Sequence, residues 1–191
     1  VGAVIGIAGQ STRAGFYAAF EARTGKRLWQ FDSTAAQGWE GQFRSTTPDG
    51  APLDRDIEGE KAAFARYRDA WKTGGGGIWQ TGSYDPASNL YIVGTGNPYP
   101  IYDPQFRPGD NLYTDSVVAL HVDTGQLAWH FQYTPNDSWD FDEVGVHMLY
   151  DTTINGEKRK VAGHYGRNGF FYSIDRTNGK FIKSEKYVND L

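Results

Sequence analysis

Two stretches of this chain, AAFEARTGKRLWQF at residues 18–31 and VALHVDTGQLAWHF at residues 118–131, follow the same pattern. In each, alternating apolar residues lead to a Thr-Gly turn and a second such run follows, which is typical of a β-hairpin. In both, a tryptophan (Trp29 or Trp129) follows the turn glycine (Gly25 or Gly125) by four residues. A third, more degenerate copy, FYSIDRTNGKFIKS, occupies residues 171–184. Repetition of one hairpin with a fixed aromatic residue predicts the blades of a β-propeller, in which small sheets pack against their neighbours.

The composition favours the same fold class. The 191 residues include 24 glycines, 12 tyrosines, 11 phenylalanines and 6 tryptophans, and this mixture of aromatic and turn-forming residues predicts an all-β protein. The formal net charge of −4 gives no reason to expect nucleic acid or an anionic membrane as a partner. Cysteine is absent, which excludes a disulfide, a thiolate metal site and a CxxCH haem attachment from this stretch.

Residues 58–72, EGEKAAFARYRDAWK, are rich in helix formers and place Ala63, Tyr67 and Trp71 on one helical face. We expect one short helix here, within an inter-blade insertion at residues 51–73. At about 40 to 45 residues per blade, the chain holds roughly three to four blades, too few to close most propellers. The opening run VGAVIGIAGQ predicts a strand and is too short for a membrane span. The chain also lacks an initiator methionine, so we expect residues 1–191 to be a section of a longer propeller domain.

The stretch GGGGIWQTGSYDP, residues 74–86, places four glycines before Trp79, and GTGNP follows at residues 94–98. Glycine allows a close approach to the backbone, and an indole offers a flat surface on which a planar group can stack. The alternatives are a glycine-rich turn with a core tryptophan, and a plain Asn-Pro turn at Asn97. GTGNP is not a dinucleotide fingerprint, because the later glycine is missing and a proline follows.

Two further motifs carry charged residues. The segment NDSWDFDE, residues 136–143, contains Asp140 and Asp142. On an extended backbone, acids two positions apart point to the same side, so both could converge on one ion. A solvated acidic turn is the alternative, although Trp139 between the acids favours partial burial. The segment GRNGFFYSIDRTNGK, residues 166–180, contains Arg167, which could equally be a surface arginine in a turn.

Taken together, these motifs resemble the quinoprotein alcohol dehydrogenases that use pyrroloquinoline quinone (PQQ). Residues 19–29 match that family's tryptophan-docking motif A-x-E-x-x-T-G-K-x-x-W, and residues 119–129 match it apart from His121 and Gln126. GGGGIW, GTGNP, DSWDFD and GRNG occur in the family's order and spacing. The resemblance covers essentially the whole chain and implies a section of an eight-bladed β-propeller with one inserted helix.

The resemblance also implies roles for individual residues. Trp79 matches the tryptophan beneath the quinone ring, and Arg167 matches a basic residue that hydrogen-bonds the quinone oxygens. Asn97 matches an asparagine that offers its carbonyl oxygen to the bound cation, and Asp140 matches the catalytic carboxylate, itself close to the cation. An aspartate at the position of Asp142 is a hallmark of the lanthanide-using branch, so the ion is expected to be Ca²⁺ or a lanthanide.

One position departs from the family pattern. The family supplies a glutamate ligand in a G-A-E or G-G-E segment, whereas the matching segment here reads AGQSTRAGF and places Gln10 at that position. Glutamine keeps an oxygen ligand but removes a formal charge, which implies a lower affinity for the cation. Gln10 is therefore included among the expected metal ligands with a weaker contribution.

The expected function is oxidation of a primary or small alcohol to the aldehyde by hydride transfer to metal-bound PQQ. The resemblance further implies a periplasmic location and a cytochrome c electron acceptor, and it is compatible with a homodimer. Two other functions stay open: a non-catalytic PQQ-like propeller scaffold of the cell envelope, and a carbohydrate-active propeller that pairs Asp140 with another acid. The four histidines, His121, His130, His147 and His164, show no metal-ligand spacing and receive no role.

Overall fold

The computed structural model describes residues 2–4 and 14–189, which contain eleven strands and one α-helix. The strands are β1 (Gly2–Val4), β2 (Phe16–Phe20), β3 (Arg27–Asp32), β4 (Ser83–Asp85), β5 (Leu90–Gly94), β6 (Ser116–His121), β7 (Leu127–Gln132), β8 (Met148–Ile154), β9 (Glu157–Tyr165), β10 (Phe170–Asp175) and β11 (Phe181–Lys186). The helix α1 spans Ile57–Tyr67, and short 3-10 helices span Ala70–Thr73 and Pro104–Phe106. The mainly β architecture expected from the composition is confirmed.

The strands form three antiparallel sheets, and each sheet is built from consecutive strands. Sheet one has the order β1-β2-β3, sheet two β4-β5-β6-β7 and sheet three β11-β10-β9-β8. Small antiparallel sheets that follow one another along the chain are the arrangement of successive propeller blades.

The three repeated sequence stretches form the hairpins β2–β3, β6–β7 and β10–β11, as predicted. Their turn glycines, Gly25, Gly125 and Gly179, have φ angles of 71°, 70° and 74°. This left-handed conformation is open to glycine at little cost, which explains why each turn carries one. The pairing register also shifts once in each hairpin, after Ala19, Ala119 and Ser173 respectively. The repeats therefore share one backbone geometry.

The repeated tryptophans join one sheet to the next. Trp29 of sheet one packs on the turn of sheet two, where a Cβ added to Gly125 would lie 2.4 Å from its Cε3 atom. The indole N–H of Trp29 donates to the carbonyl of Val122 in the same turn, at 2.8 Å. Trp129 of sheet two packs on the turn of sheet three in the same way, 2.7 Å from a Cβ added to Gly179. The turn glycine of each sheet thus leaves room for the tryptophan of the preceding sheet.

Two apolar cores lie on opposite faces of sheet two. One is shared with sheet three and the other with sheet one. Strand β6 contributes to both cores, because successive side chains of a strand point to opposite faces. Val117 and Ala119 enter the first core, and Val118 and Leu120 enter the second. Burial on both faces explains the continuous apolar run of this strand.

The predicted inserted helix is present between sheets one and two. Residues 58–72 were expected to be helical, and α1 ends at Tyr67 with a 3-10 turn after it. The Asp56 carboxylate caps α1 by accepting the Gly59 N–H at 3.0 Å. None of the residues of α1 is buried, and Arg55 anchors the segment through ion pairs of 2.6 Å to Glu60 and 2.7 Å to Asp110.

Neither α1 nor any other helix in the described part of the chain is long and apolar enough to cross a membrane.

The docking contact can be tested by filling it. In the complete protein, Gly179→Ala should lower the free energy of unfolding by about 2 to 5 kcal/mol, through left-handed strain and overpacking against Trp129. Gly156→Ala is the matched control, since Gly156 also follows an asparagine in a turn, has φ 82°, and has nothing within 4 Å of an added Cβ. The control should lose only the strain part, about 1 to 2 kcal/mol. Urea unfolding measures both, and equal losses would contradict the role given to docking.

Candidate functional site

Three of the four glycines at residues 74–77, Gly75, Gly76 and Gly77, pack against backbone of the same chain. The Gly76 N–H donates to the carbonyl of Asn97, and the Gly96 N–H donates to the carbonyl of Gly77, each at 2.8 Å. A Cβ added to Gly75 would lie 2.7 Å from the backbone nitrogen of Tyr99. The sequence suggested that these glycines admit a planar ligand, but their close neighbours are protein atoms. The glycine run instead joins the loop before Trp79 to the loop after β5.

Trp79 lies at the end of this packed loop with 47% of its surface exposed. Its benzene ring rests on Gly96, where an added Cβ would lie 2.8 Å from Cζ3 of Trp79 and 2.8 Å from Oδ1 of Asp142. Only glycine fits at this position, since any side chain would push the indole and the carboxylate apart. The exposed part of the indole is a flat apolar surface beside a carboxylate, which suits a planar group that carries polar substituents.

Asp142 connects three of the residues singled out from the sequence. Its Oδ1 accepts the backbone N–H of Asn97 at 2.9 Å, and its Oδ2 lies 3.3 Å from Nη1 of Arg167. Trp79, Asp142 and Arg167 line one open cavity of about 320 Å³ between sheets two and three. The Asn97 Nδ2 donates to the carbonyl of Pro98 at 3.0 Å, so the side-chain oxygen is its remaining polar atom.

The acidic segment does not have the extended backbone that the sequence suggested. Asp140 and Asp142 have φ angles of 67° and 47°, in the left-handed region that aspartate tolerates better than most residues. The expectation that strand alternation aligns the two acids is therefore wrong. The segment is instead held against sheet two, where the Glu143 N–H donates to the carbonyl of Thr95 at 3.2 Å.

The charge balance at Asp142 favours a cation. Burial raises the pKa of the Asp142 carboxyl and the hydrogen bond from Asn97 opposes this, while the charge of Asp140 raises the pKa and the charge of Arg167 lowers it. A bound cation would remove both unfavourable effects, and two carboxylates with an amide oxygen are ligands that hard ions prefer. The described residues contain no group of three or more His, Cys, Asp or Glu that could hold a metal, so the amide oxygen of Asn97 is needed to complete such a set.

Gln10, the remaining expected ligand, lies outside the described residues.

Sequence reasoning missed a buried polar network at the wall of the cavity. The fully buried carboxylate of Glu143 lies 2.7 Å from Nε2 of His164 and also accepts the backbone N–H of Arg167 at 3.2 and 3.3 Å. The His164 ring stacks on that of His147 at 4.2 Å between centroids, and Nε2 of His147 lies 2.7 Å from the hydroxyl of Tyr133. Glu143 thereby fixes the backbone at Arg167. Nothing in the spacing of these residues distinguishes them from ordinary strand and loop residues.

Comparison with known proteins identifies the family of this chain. Residues 1–186 match the family described as "PQQ: Glucose/ethanol/alcohol dehydrogenase, beta-propeller domain". The chain is 42% identical over 173 residues to the quinoprotein alcohol dehydrogenase PedH of Pseudomonas putida, covering 91% of this chain and 28% of that protein. It is 36% identical over 173 residues to the lanthanide-dependent methanol dehydrogenase of Methylorubrum extorquens, covering 88% and 28% respectively.

Among solved structures, a europium-containing methanol dehydrogenase superimposes with a TM-score of 0.76 at 32% identity, over 97% of this chain and 32% of that one. The chain is thus a β-propeller section of the quinoprotein type. It belongs to the PQQ-dependent glucose/ethanol/alcohol dehydrogenase β-propeller family. It spans about 28% of the length of the two relatives named above.

The buried histidine pair predicts a pH dependence of stability. Burial lowers the pKa of His147 well below its ordinary value of 6.5, and the neighbouring His164 lowers it further. The folded protein therefore keeps His147 neutral while the unfolded chain takes up a proton, so stability falls as pH falls through 6.5. Between pH 7 and pH 5, the metal-free complete protein should lose about 1 to 2 kcal/mol more than a His147→Gln variant. Urea unfolding at both pH values tests this, and parallel losses would contradict it.

Proposed function

We propose that this chain forms part of a PQQ-dependent dehydrogenase that oxidises a primary or small alcohol to the aldehyde. The observation that carries the proposal is that Trp79, Asp142 and Arg167 line one cavity in a chain of this family. The remainder of the enzyme, in an eight-bladed propeller, would come from sequence outside residues 1–191. Residues 51–73 would then be an insertion between two of its blades.

Trp79 and Arg167 would bind the quinone. The exposed indole of Trp79 offers apolar stacking surface, and the Arg167 side chain, 58% exposed and at the same cavity, offers several N–H donors in one plane. A planar donor group suits the adjacent carbonyl oxygens of an ortho-quinone. When bound, PQQ supplies the two-electron acceptor that the protein itself lacks.

Asn97, Asp140, Asp142 and Gln10 would hold the cation. Hard oxygen donors of this kind select Ca²⁺ or a lanthanide ion over softer metals. The second carboxylate, Asp142, favours the more highly charged lanthanide, and relatives of this chain are named for lanthanide dependence or contain europium. Gln10 would instead lower the preference for a lanthanide, because it contributes an oxygen without a charge.

Asp140 would act as the general base. A carboxylate beside a bound alcohol can accept the hydroxyl proton, and the adjacent cation favours the ionised carboxylate that this role requires. The left-handed backbone at Asp140 fixes the direction in which its side chain leaves the loop. We assign the base role to Asp140 and not to Asp142, because the carboxylate of Asp142 already contacts Asn97 and Arg167.

Location and partners follow from the family. We propose a periplasmic enzyme that passes its electrons to a cytochrome c, and this proposal is compatible with a homodimer. A non-catalytic scaffold would have no need for Trp79, Asn97, Asp140 and Arg167 together, and a carbohydrate-active propeller would need a pair of carboxylates across a cleft.

The quinone site is tested by Trp79→Ala in the complete protein. The variant should bind PQQ more weakly by about 1 to 3 kcal/mol, because stacking and apolar burial are lost. Trp71→Ala is the control, since Trp71 lies in the inserted segment, away from the cavity lining. Quinone retained after dialysis can be measured by absorbance. Equal retention by wild type and Trp79→Ala would remove Trp79 from the site.

The catalytic assignment is tested by comparing Asp140→Asn with Asp142→Asn. Asp140→Asn keeps the shape and an oxygen ligand but removes the proton acceptor, so alcohol-dependent dye reduction should fall about 100-fold or more at any cation concentration. Asp142→Asn removes only charge at the cation, so its loss should be largely restored by excess Ca²⁺ or lanthanide. Quinone content is measured in both variants. Wild-type turnover of Asp140→Asn with quinone and cation bound would show that Asp140 is not the general base.

A further inference from the structure

A buried arginine connects the two loops that carry the proposed cation ligands. Arg107 is 0% exposed and lies within the loop that contains Asn97 and joins β5 to β6. It also contacts the loop that leads from β7 to Asp140. Nothing in the sequence drew attention to Arg107, because it stands in an ordinary-looking RPGDN segment.

The guanidinium of Arg107 has an acceptor for each of its donors. An arginine side chain carries five N–H groups in a rigid planar fork. Nε donates to the carbonyl of Pro100 (2.7 Å), Nη1 to the side-chain oxygens of Asn111 (2.6 Å) and Asn136 (2.9 Å), and Nη2 to the carbonyls of Ile101 (2.8 Å) and Asp137 (2.5 Å). A fully satisfied buried arginine determines the relative positions of all the groups it binds, since displacing any one leaves an unpaired donor.

These acceptors belong to both ligand loops. Pro100 and Ile101 follow Asn97 by three and four residues, and Asn136 and Asp137 precede Asp140 by four and three. One planar group therefore fixes the distance between the segment of Asn97 and the segment of the two acids.

Asp137 extends this connection to Asp140 itself. Its main-chain carbonyl is held by Arg107, while its carboxylate accepts the backbone N–H groups of Trp139 and Phe141, each at 2.9 Å. Trp139 and Phe141 flank Asp140 directly. The left-handed turn at Asp140 is thus bonded on both sides to a residue that Arg107 holds.

The charge of Arg107 is retained in this buried position. Burial lowers its pKa to about 10, and the carboxyl groups of Asp137 and Asp115 oppose the lowering. The side chain therefore stays cationic at neutral pH and binds all five acceptors by charge-assisted hydrogen bonds.

We infer that Arg107 is a positioning residue that sets the separation between Asn97 and the Asp140–Asp142 segment, and so determines the affinity of the cation site. The inference rests on the proposed function, because it assumes that these loops hold a cation. Lysine cannot replace the arginine, since an ammonium group has only three donors on a flexible stem and no planar fork.

The test compares Arg107→Lys with Arg176→Lys in the complete protein. Arg176 is a matched control: it is 9% exposed, contacts Asp85, Asp151 and the carbonyl of Tyr150, and has no contact with either ligand loop among the described residues. Both variants should unfold at lower temperature. Only Arg107→Lys should bind Ca²⁺ and Eu³⁺ more weakly, by about 10-fold or more, as is typical when the groups that orient metal ligands are changed. Calorimetric titration of the quinone-free protein measures affinity without any turnover.

Wild-type cation affinity in Arg107→Lys, or equal weakening in Arg176→Lys, would overturn the inference while leaving the proposed function intact. If wild type and Asp142→Asn bind the cations equally poorly, the proposed cation site fails and the inference fails with it. Should Arg107→Lys not fold, Asp137→Asn gives the second test. This variant keeps the carbonyl that Arg107 holds but loses one of the two bonds around Asp140, so its cation affinity should also fall, and unchanged affinity would contradict the connection.

Discussion

The docking of each repeated tryptophan on the turn of the next sheet is the contact on which this architecture depends. An isolated sheet of three or four short strands cannot bury both of its faces, so it is stable only beside its neighbours. Trp29 and Trp129 fix the spacing and rotation of successive sheets, because each fills a place that Gly125 or Gly179 leaves open. The loops after β5, after β7 and between β9 and β10 then meet at one end of the seam between sheets two and three. Trp79, Asp142 and Arg167 belong to those loops and to the loop before β4, so the cavity exists only as a result of docking.

Much of the fold could be predicted from the sequence, because a β-hairpin has a recognisable pattern within a short stretch of residues. Alternation, a Thr-Gly or Asn-Gly turn and a tryptophan at fixed spacing predicted all three hairpins with their turn glycines. The helix also followed from local composition, although its end at Tyr67 did not. The number of blades in the whole protein stays a prediction, since the described residues form three sheets and the chain spans about 28% of the length of the two named relatives.

The site was less accessible to sequence reasoning, for reasons that differ from residue to residue. Trp79, Asn97, Asp140, Asp142 and Arg167 were found through a family resemblance, and their pattern alone left ordinary turns as alternatives. The left-handed backbone at Asp140 and Asp142 could not be foreseen, because this loop is held by hydrogen bonds from distant residues, from Asn97 to Asp142 and from Arg107 to Asp137. Glu143, His164 and Arg107 act through partners about 20 to 30 positions away, and no local spacing reports such contacts.

The placement of the cavity at a seam has a consequence for cooperativity. When each sheet contacts only its neighbours, stability is a sum of terms for the sheets and for the junctions between them. One junction can therefore open while the others stay closed, with its own free energy of opening. A molecule that contacts residues of both sheets two and three is released when that junction opens, and by mass action it must resist the opening. A bound ligand would then connect two sheets, and the occupied protein would be mechanically stiffer at this junction than at the junction between sheets one and two.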